Sequence, residues 1–168
     1  MSEFTTALVV SPLSDGKSWV VLDDFKYHVG TENSGDCVIA SKGFATDFAS
    51  VPRVFWWIIP RWGKYGNAAV IHDWLYWEQV KRDRKEADLI LLEAMGVLGV
   101  SKWKKTLIYH AVRWFGWIAW FRNAADKDAG FNRVIKAEII KATSSSERPG
   151  TIKSAYRYYM KKRDNKEK

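Results

Sequence analysis

The chain changes its hydrophobic period once, near residue 50, and that change limits the folds open to it. Before it, Phe4–Val10, Trp19–Leu22, Phe25–Val29 and Cys37–Ala40 are short runs rich in β-branched and aromatic residues. Turn-forming Ser14-Asp15-Gly16, Asp23-Asp24 and Asn33-Ser34-Gly35-Asp36 separate them, the pattern of a small antiparallel β meander. Lys42–Asp47 is a candidate for one more strand. Beyond the change, Ser50-Val51-Pro52 opens a short helix, with Ser50 as cap and the proline in the first turn, where its missing N–H costs nothing. Pro60 and the loop Trp62–Gly66 stop it. Asn67 then caps a helix from Ala68 to about Gln79, and Asp83 caps another to about Leu98, which Gly99 ends. Ser101 caps a longer one to about Phe121. Strands followed by helices predict an α+β fold: an N-terminal antiparallel β meander packed on a helical part with a central Ala68–Leu98 helix hairpin.

The 168 residues suit one domain, read here as 1–142, followed by a linker at 143–150 (TSSSERPG) and a basic C-terminal helix or tail at 151–168. Asn123–Gly130 reads as a polar loop and Phe131–Ala142 as helical. Within the long helix, Trp103, Leu107, His110, Trp114, Trp117 and Phe121 recur at spacings of 4, 3, 4, 3 and 4, which marks one helical face. That face is expected to point into the core. Trp residues beside Lys102, Lys104, Lys105 and Arg113 also fit, more loosely, a helix lying in a membrane interface.

Several classes are excluded. Cys37 is the one cysteine, so there is no internal disulfide framework and no multi-cysteine metal site. With 47% hydrophobic residues the chain is not globally disordered. Met1–Leu13 lacks the basic n-region of a secretory signal, and Thr106–Phe121, the most apolar stretch, is interrupted by His110 and Arg113. No signal peptide and no transmembrane segment are therefore expected. The net charge is +8, but Arg148–Lys168 carries +6 of it, which leaves +2 for residues 1–147. Arg157, Lys161, Lys162 and Arg163 are interleaved with Tyr156, Tyr158 and Tyr159, so the tail either attracts anionic lipid or nucleic acid or is solvated charge with no partner.

Chemistry concentrates in Gly43–Tyr76. Thr46-Asp47 and His72-Asp73 each sit inside an apolar run, and an ionisable group in such surroundings must be paired, metal-bound or shifted in pKa. On a helix His72 and Tyr76 share a face, whereas Asp73 points about 100° away from His72, so the two side chains serve different tasks. An antiparallel return after Val80–Arg82 sets Asp88 opposite His72. There Asp88 either holds one nitrogen of His72, leaving the other as a base, or is a surface residue pairing with Arg84 one turn earlier. Asp47 either caps the helix near Ser50 or joins Asp73 as a metal ligand. His110 reads as a hydrogen-bonded core histidine.

The combination GFATDFASVPR, Pro60, the Gly63–Gly66 loop, AAVIHDWLY and Glu86-Ala87-Asp88 resembles a family of phage and prophage proteins of unknown function, over roughly residues 40–95. That resemblance implies a phage or prophage origin, with the host cytoplasm or the virion as setting and virion components as partners. More locally, His72-Asp73-x-x-Tyr76 is similar to the phospholipase A2 signature. It implies His72 as water-activating base, Tyr76 and Asp88 as its support, and Asp73, with Asp47 and carbonyls of Trp62–Gly66, as ligands for calcium or another divalent metal. Trp56, Trp57, Trp62 and Trp77 would then rim the substrate site. The cysteines that flank the motif in that family are replaced by Val70 and Leu75. The His-Asp metal phosphohydrolases also place such a pair on a helix, and on that likeness His110 and Asp88 complete the ligand set.

Overall fold

A computed structural model describes residues 2–13, 18–31, 34–48 and 63–135. The expected helix after Ser50, the tryptophans Trp56, Trp57 and Trp62, the linker and the basic tail lie outside them. Among the described residues six short strands precede three helices: β1 (Glu3–Phe4), β2 (Val10–Pro12), β3 (Trp19–Val21), β4 (Phe25–His28), β5 (Cys37–Ala40) and β6 (Ala45–Thr46), then α1 (Gly66–Glu78), α2 (Arg84–Val97) and α3 (Lys102–Asp128). The protein is thus α+β, with an N-terminal β part and a helical C-terminal part.

The strands make two antiparallel sheets, ordered β1-β4-β5 and β2-β3-β6. Local hairpins supply β2–β3 and β4–β5, while β1–β4 and β3–β6 join segments distant in sequence. Alternation fixes which side is buried: Phe25 and Tyr27 of β4 and Val38 and Ala40 of β5 enter the core, and Ile39 faces out. Glu93 of α2 fastens the first sheet to the helices, accepting 2.9 Å hydrogen bonds from the Tyr27 hydroxyl and the Gly30 N–H.

The helices obey sharper local rules. The Asp83 side chain accepts from the Glu86 N–H at 2.7 Å, and the Glu86 carboxylate accepts from the Asp83 N–H at 3.0 Å, a complete capping box. Asn67 does not cap α1; it lies inside the first turn, after Tyr65 as N-cap. α1 is packed between α2, α3, β5 and β6, which is why it is apolar on nearly every side.

Three expectations for the C-terminal part are corrected. α3 runs on through the supposed loop to Asp128, because Asn123 is buried there and donates to the Tyr76 carbonyl at 2.9 Å. Phe131 does not start another helix; 131–135 runs back along the second sheet, with Ala45 N–H bonded to the Arg133 carbonyl and Ile135 N–H to the Gly43 carbonyl, both 2.8 Å. The aromatic stripe of α3 is also not core. Trp103, Trp114, Trp117 and Phe121 are 56%, 66%, 51% and 65% exposed, and His110 is exposed between them. The buried side is instead Ile108, Ala111, Val112 and Asn123. Among the described residues no helix is long and apolar enough to cross a membrane.

The returning segment depends on Gly43. Its φ is 89°, and a Cβ there would sit 2.2 Å from the Ile135 carbonyl oxygen. Gly43→Ala is expected to destabilise the protein by about 1–3 kcal/mol in urea denaturation. A midpoint equal to that of the parent would contradict the crossing of 131–135 over Gly43.

Candidate functional site

Because α1 is enclosed on several sides, the side chains of His72 and Asp73 diverge and both remain inside, at 2% and 8% exposure. His72 points towards α2. Its Nε2 lies 2.9 Å from Asp88 Oδ1, and the Tyr76 hydroxyl donates to the same oxygen at 2.6 Å. The His72 and Tyr76 rings stand 4.1 Å apart, as expected one helical turn from each other. On the other oxygen of Asp88, Arg113 Nη1 of α3 donates at 2.7 Å and Arg84 Nη1 at 3.4 Å. Asp88 therefore meets both His72 and Arg84, on different oxygens, but it is buried and not a surface residue.

These donors decide the charge of Asp88. Burial alone would raise its carboxyl, but the hydrogen bond and charge of His72, followed by the bonds from Tyr76 and Arg113, outweigh burial and hold it below the usual carboxylate range. Burial first, and then the bond to Asp88 and its charge, push the Tyr76 phenol well up, so Tyr76 stays a donor. The hydrogen bond to Asp88 likewise raises Arg113. An ionised carboxylate can only accept, so Nε2 of His72 is the donor in this bond.

Among the described residues His72 Nδ1 has no hydrogen-bond partner, and neither has the buried Tyr65 hydroxyl seven residues earlier on the same helical face. Burial pushes that phenol up to about 12. A buried polar atom without a partner costs about 1–3 kcal/mol, so a small polar group beside Nδ1 is favoured.

Asp73 points the other way, to β6, where Thr46 Oγ1 donates to its Oδ2 at 2.5 Å. Thr46 Oγ1 in turn accepts from the Phe48 N–H at 3.2 Å, and Phe48 takes φ 52°, a left-handed backbone that bulky residues rarely adopt. Burial, then the charge of Asp47, pushes the Asp73 carboxyl up, while Thr46, Arg133 and His72 pull it partly back. Calcium takes six to eight oxygens. The described residues offer Asp47, Asp73 and the Thr46 hydroxyl, and no three His, Cys, Asp or Glu side chains among them converge as a ligand set. They do not make up a metal site by themselves.

The structure thus brings His72, Tyr76 and Asp88 together, and sets Asp73 and Asp47 as a separate pair across α1. Trp77 is buried, with the Lys127 ammonium 5.8 Å from its ring centroid. His110 meets Tyr109 edge-on and Trp114 at a tilt on the outer side of α3, away from the buried cluster. Two contributors escaped the sequence reading. Arg113 was legible only as an interruption of an apolar run. Gly116, in the middle of a 27-residue helix, was the clue to a close approach: a Cβ there would meet the Tyr76 oxygen at 2.3 Å.

Alanine has the higher helix propensity by about 1 kcal/mol. Gly116→Ala should nonetheless destabilise the protein, by about 1–3 kcal/mol, because it drives Tyr76 off Asp88; a higher urea midpoint would contradict this contact. The two aspartates predict opposite pH signatures. Asp88 is held below its unfolded value, so its stabilisation is present above pH 3.8 and fades as pH falls through its folded pKa. Asp73 is held above, so the folded state binds the extra proton and stability falls as pH rises from 3.8 through its folded pKa. In thermal melts on both sides of pH 3.8, Asp73→Asn should gain on the parent as pH rises above 3.8, whereas the deficit of Asp88→Asn should shrink as pH falls below 3.8. Parallel melting curves for the parent and Asp73→Asn would show that the Asp73 carboxyl is not perturbed.

Comparison with curated proteins and with solved structures finds no match. One family model does match, over residues 19–112, and this span holds β3 to β6, both helices of the central hairpin, the whole His72–Tyr76–Asp88 cluster and the first part of α3. The chain belongs to that family, described as protein of unknown function (DUF1353).

Proposed function

We propose that this is a phage- or prophage-encoded hydrolase in which His72 activates water for attack on a carboxylic ester, in the manner of a phospholipase A2. One observation carries the reading: a buried imidazole whose Nε2 is held by an ionised aspartate and whose Nδ1 has no partner among the described residues. In the step envisaged, a water gives its proton to Nδ1 while its oxygen bonds to the acyl carbon. The bond from that carbon to the alcohol oxygen then breaks, and the proton on Nδ1 passes to the departing oxygen. Asp88 stabilises the imidazolium that forms in between, and Tyr76 and Arg113 keep Asp88 ionised and aimed. No step is routed through a metal. The phage origin, with the host cytoplasm or virion as setting, rests on the likeness of the TDFASVP…HDxLY…AD signature.

A second reading has its own observation. Asp88 takes hydrogen bonds from α1, α2 and α3 together, so the same residues would also serve a noncatalytic virion or host-interaction protein as the polar centre that holds three helices in register. The metal phosphohydrolase alternative is less well supported, because His110 faces outward.

Turnover separates the readings. The purified chain is assayed on phosphatidylcholine, phosphatidylglycerol and short-chain carboxylic esters. Hydrolysis is expected, with kcat/KM lowered about 100-fold or more in His72→Ala and less in Tyr76→Phe, which keeps the ring and loses the donor. Near-UV circular dichroism establishes that each variant is folded. A parent inert on every ester, or a folded His72→Ala that turns over equally fast, would sink the hydrolase and leave the structural role.

A further inference from the structure

We propose that the outer face of α3 docks on an anionic lipid bilayer, lying in the headgroup layer rather than crossing it. The face is a single row on the helix: Trp103, Trp114, Trp117 and Phe121 each expose more than half of their surface, and Ile118 beside them is 53% exposed. A row of large aromatic side chains facing water is costly, at roughly 25 cal/mol for each Å² of apolar area left uncovered. The same helix has a well-made inner side, with Ile108, Ala111 and Val112 buried, so the aromatic row is not a misplaced core face. The helix is committed to both sides at once.

Its chemistry selects the occupant. Between Lys102 and Ala125 the chain carries five basic residues, Lys102, Lys104, Lys105, Arg113 and Arg122, and no acid. Arg113 turns inward to Asp88, and Lys104 stays on the outer side, its ammonium 5.4 Å from the Trp103 ring centroid. With 100° per residue, Lys104 and Arg122 fall on one flank of the aromatic row and Lys102 on the other. A helix with tryptophans along one line and cations beside it matches a bilayer interface: indole rings settle at headgroup depth, and lysine and arginine meet anionic phosphates just above. Charge complementarity therefore points to lipid of net negative charge. The inner side of the same helix supplies Arg113 and Gly116 to the Asp88 cluster, so docking would set that cluster about one helix diameter, roughly 10 Å, from the lipid surface. The proposal holds whether or not His72 is a catalyst.

The test uses the full chain, vesicles of phosphatidylglycerol or of phosphatidylcholine, and a Trp114→Ser/Trp117→Ser variant that leaves the inner side and the basic tail untouched. The parent is expected to sediment with phosphatidylglycerol vesicles, and its tryptophan fluorescence to shift to the blue and be quenched by brominated lipid. A share of the binding should survive about 0.5 M salt, where charge attraction alone is screened within about 4 Å. The variant, of unchanged circular dichroism, is expected to partition about tenfold less and to lose the quenching. Failure of the parent to bind phosphatidylglycerol overturns the proposal. So does equal binding by the variant, which would assign the affinity to the tail. So too does a dimer in light scattering that the variant dissolves, which would make a second copy of the chain the occupant.

Discussion

The buried carboxylate of Asp88 is the interaction on which the rest depends. It has no solvent exposure, and it is kept ionised by donors from three helices, two on each oxygen. A buried charge without such partners costs several kcal/mol, so each helix is held to the position at which its donor arrives. α1 must present His72 and Tyr76 one turn apart, α2 must return antiparallel, and α3 must lie close enough for Arg113 to reach in. Gly116 follows from that last demand, since any larger residue would separate α3 from Tyr76. Further along, α3 grips the end of α1 through its own polar contacts: Asn123 to the Tyr76 carbonyl, Lys127 to the Glu78 carbonyl, and Gln79 of the following turn to the Trp120 carbonyl.

Enclosure of α1 explains how adjacent residues come to have separate chemistry. A surface helix would leave either His72 or Asp73 in water. Here α2 covers one direction and β6 the other, so the pair is split into a His72 bonded to an ionised Asp88 and an Asp73 carboxyl pushed up by burial. The second of these is joined to a left-handed Phe48 through the Thr46 hydroxyl, a local arrangement the surrounding core must hold in place. On its far side α3 has the aromatic row. The one helix thus links the centre to the surface.

Much of this was legible in the residues, and the reasons for the failures are physical. The change of period near residue 50 was enough to place strands before helices, and Asp83 with Glu86 marked the start of α2 because a capping box satisfies two orphan donors with local groups alone. The His72–Asp88 pairing could be inferred from a short connection between two antiparallel helices. Periodicity identified the aromatic row of α3 as one face but could not say which side it faced. Burial was the natural expectation for tryptophan, yet the smaller residues Ala111, Val112 and Gly116 were the ones that allowed close packing against α1 and α2. Residues 123–130 looked like a loop from their polarity; Asn123 is polar because it has a carbonyl to satisfy in the core. Arg113 could not be recognised as a partner of Asp88, because nothing local records a contact between residues 25 apart.

The proposed role of His72 as a base requires its proton on Nε2, towards Asp88, and a lone pair on Nδ1. Long-range proton–nitrogen NMR spectra of the imidazole report this directly, at a pH where the ring is neutral. A protonated Nε2 and an unprotonated Nδ1 are expected for His72, with Asp88→Asn disturbing that preference. A ring protonated on Nδ1, or one that exchanges freely between the two tautomers as an exposed histidine does, would contradict it.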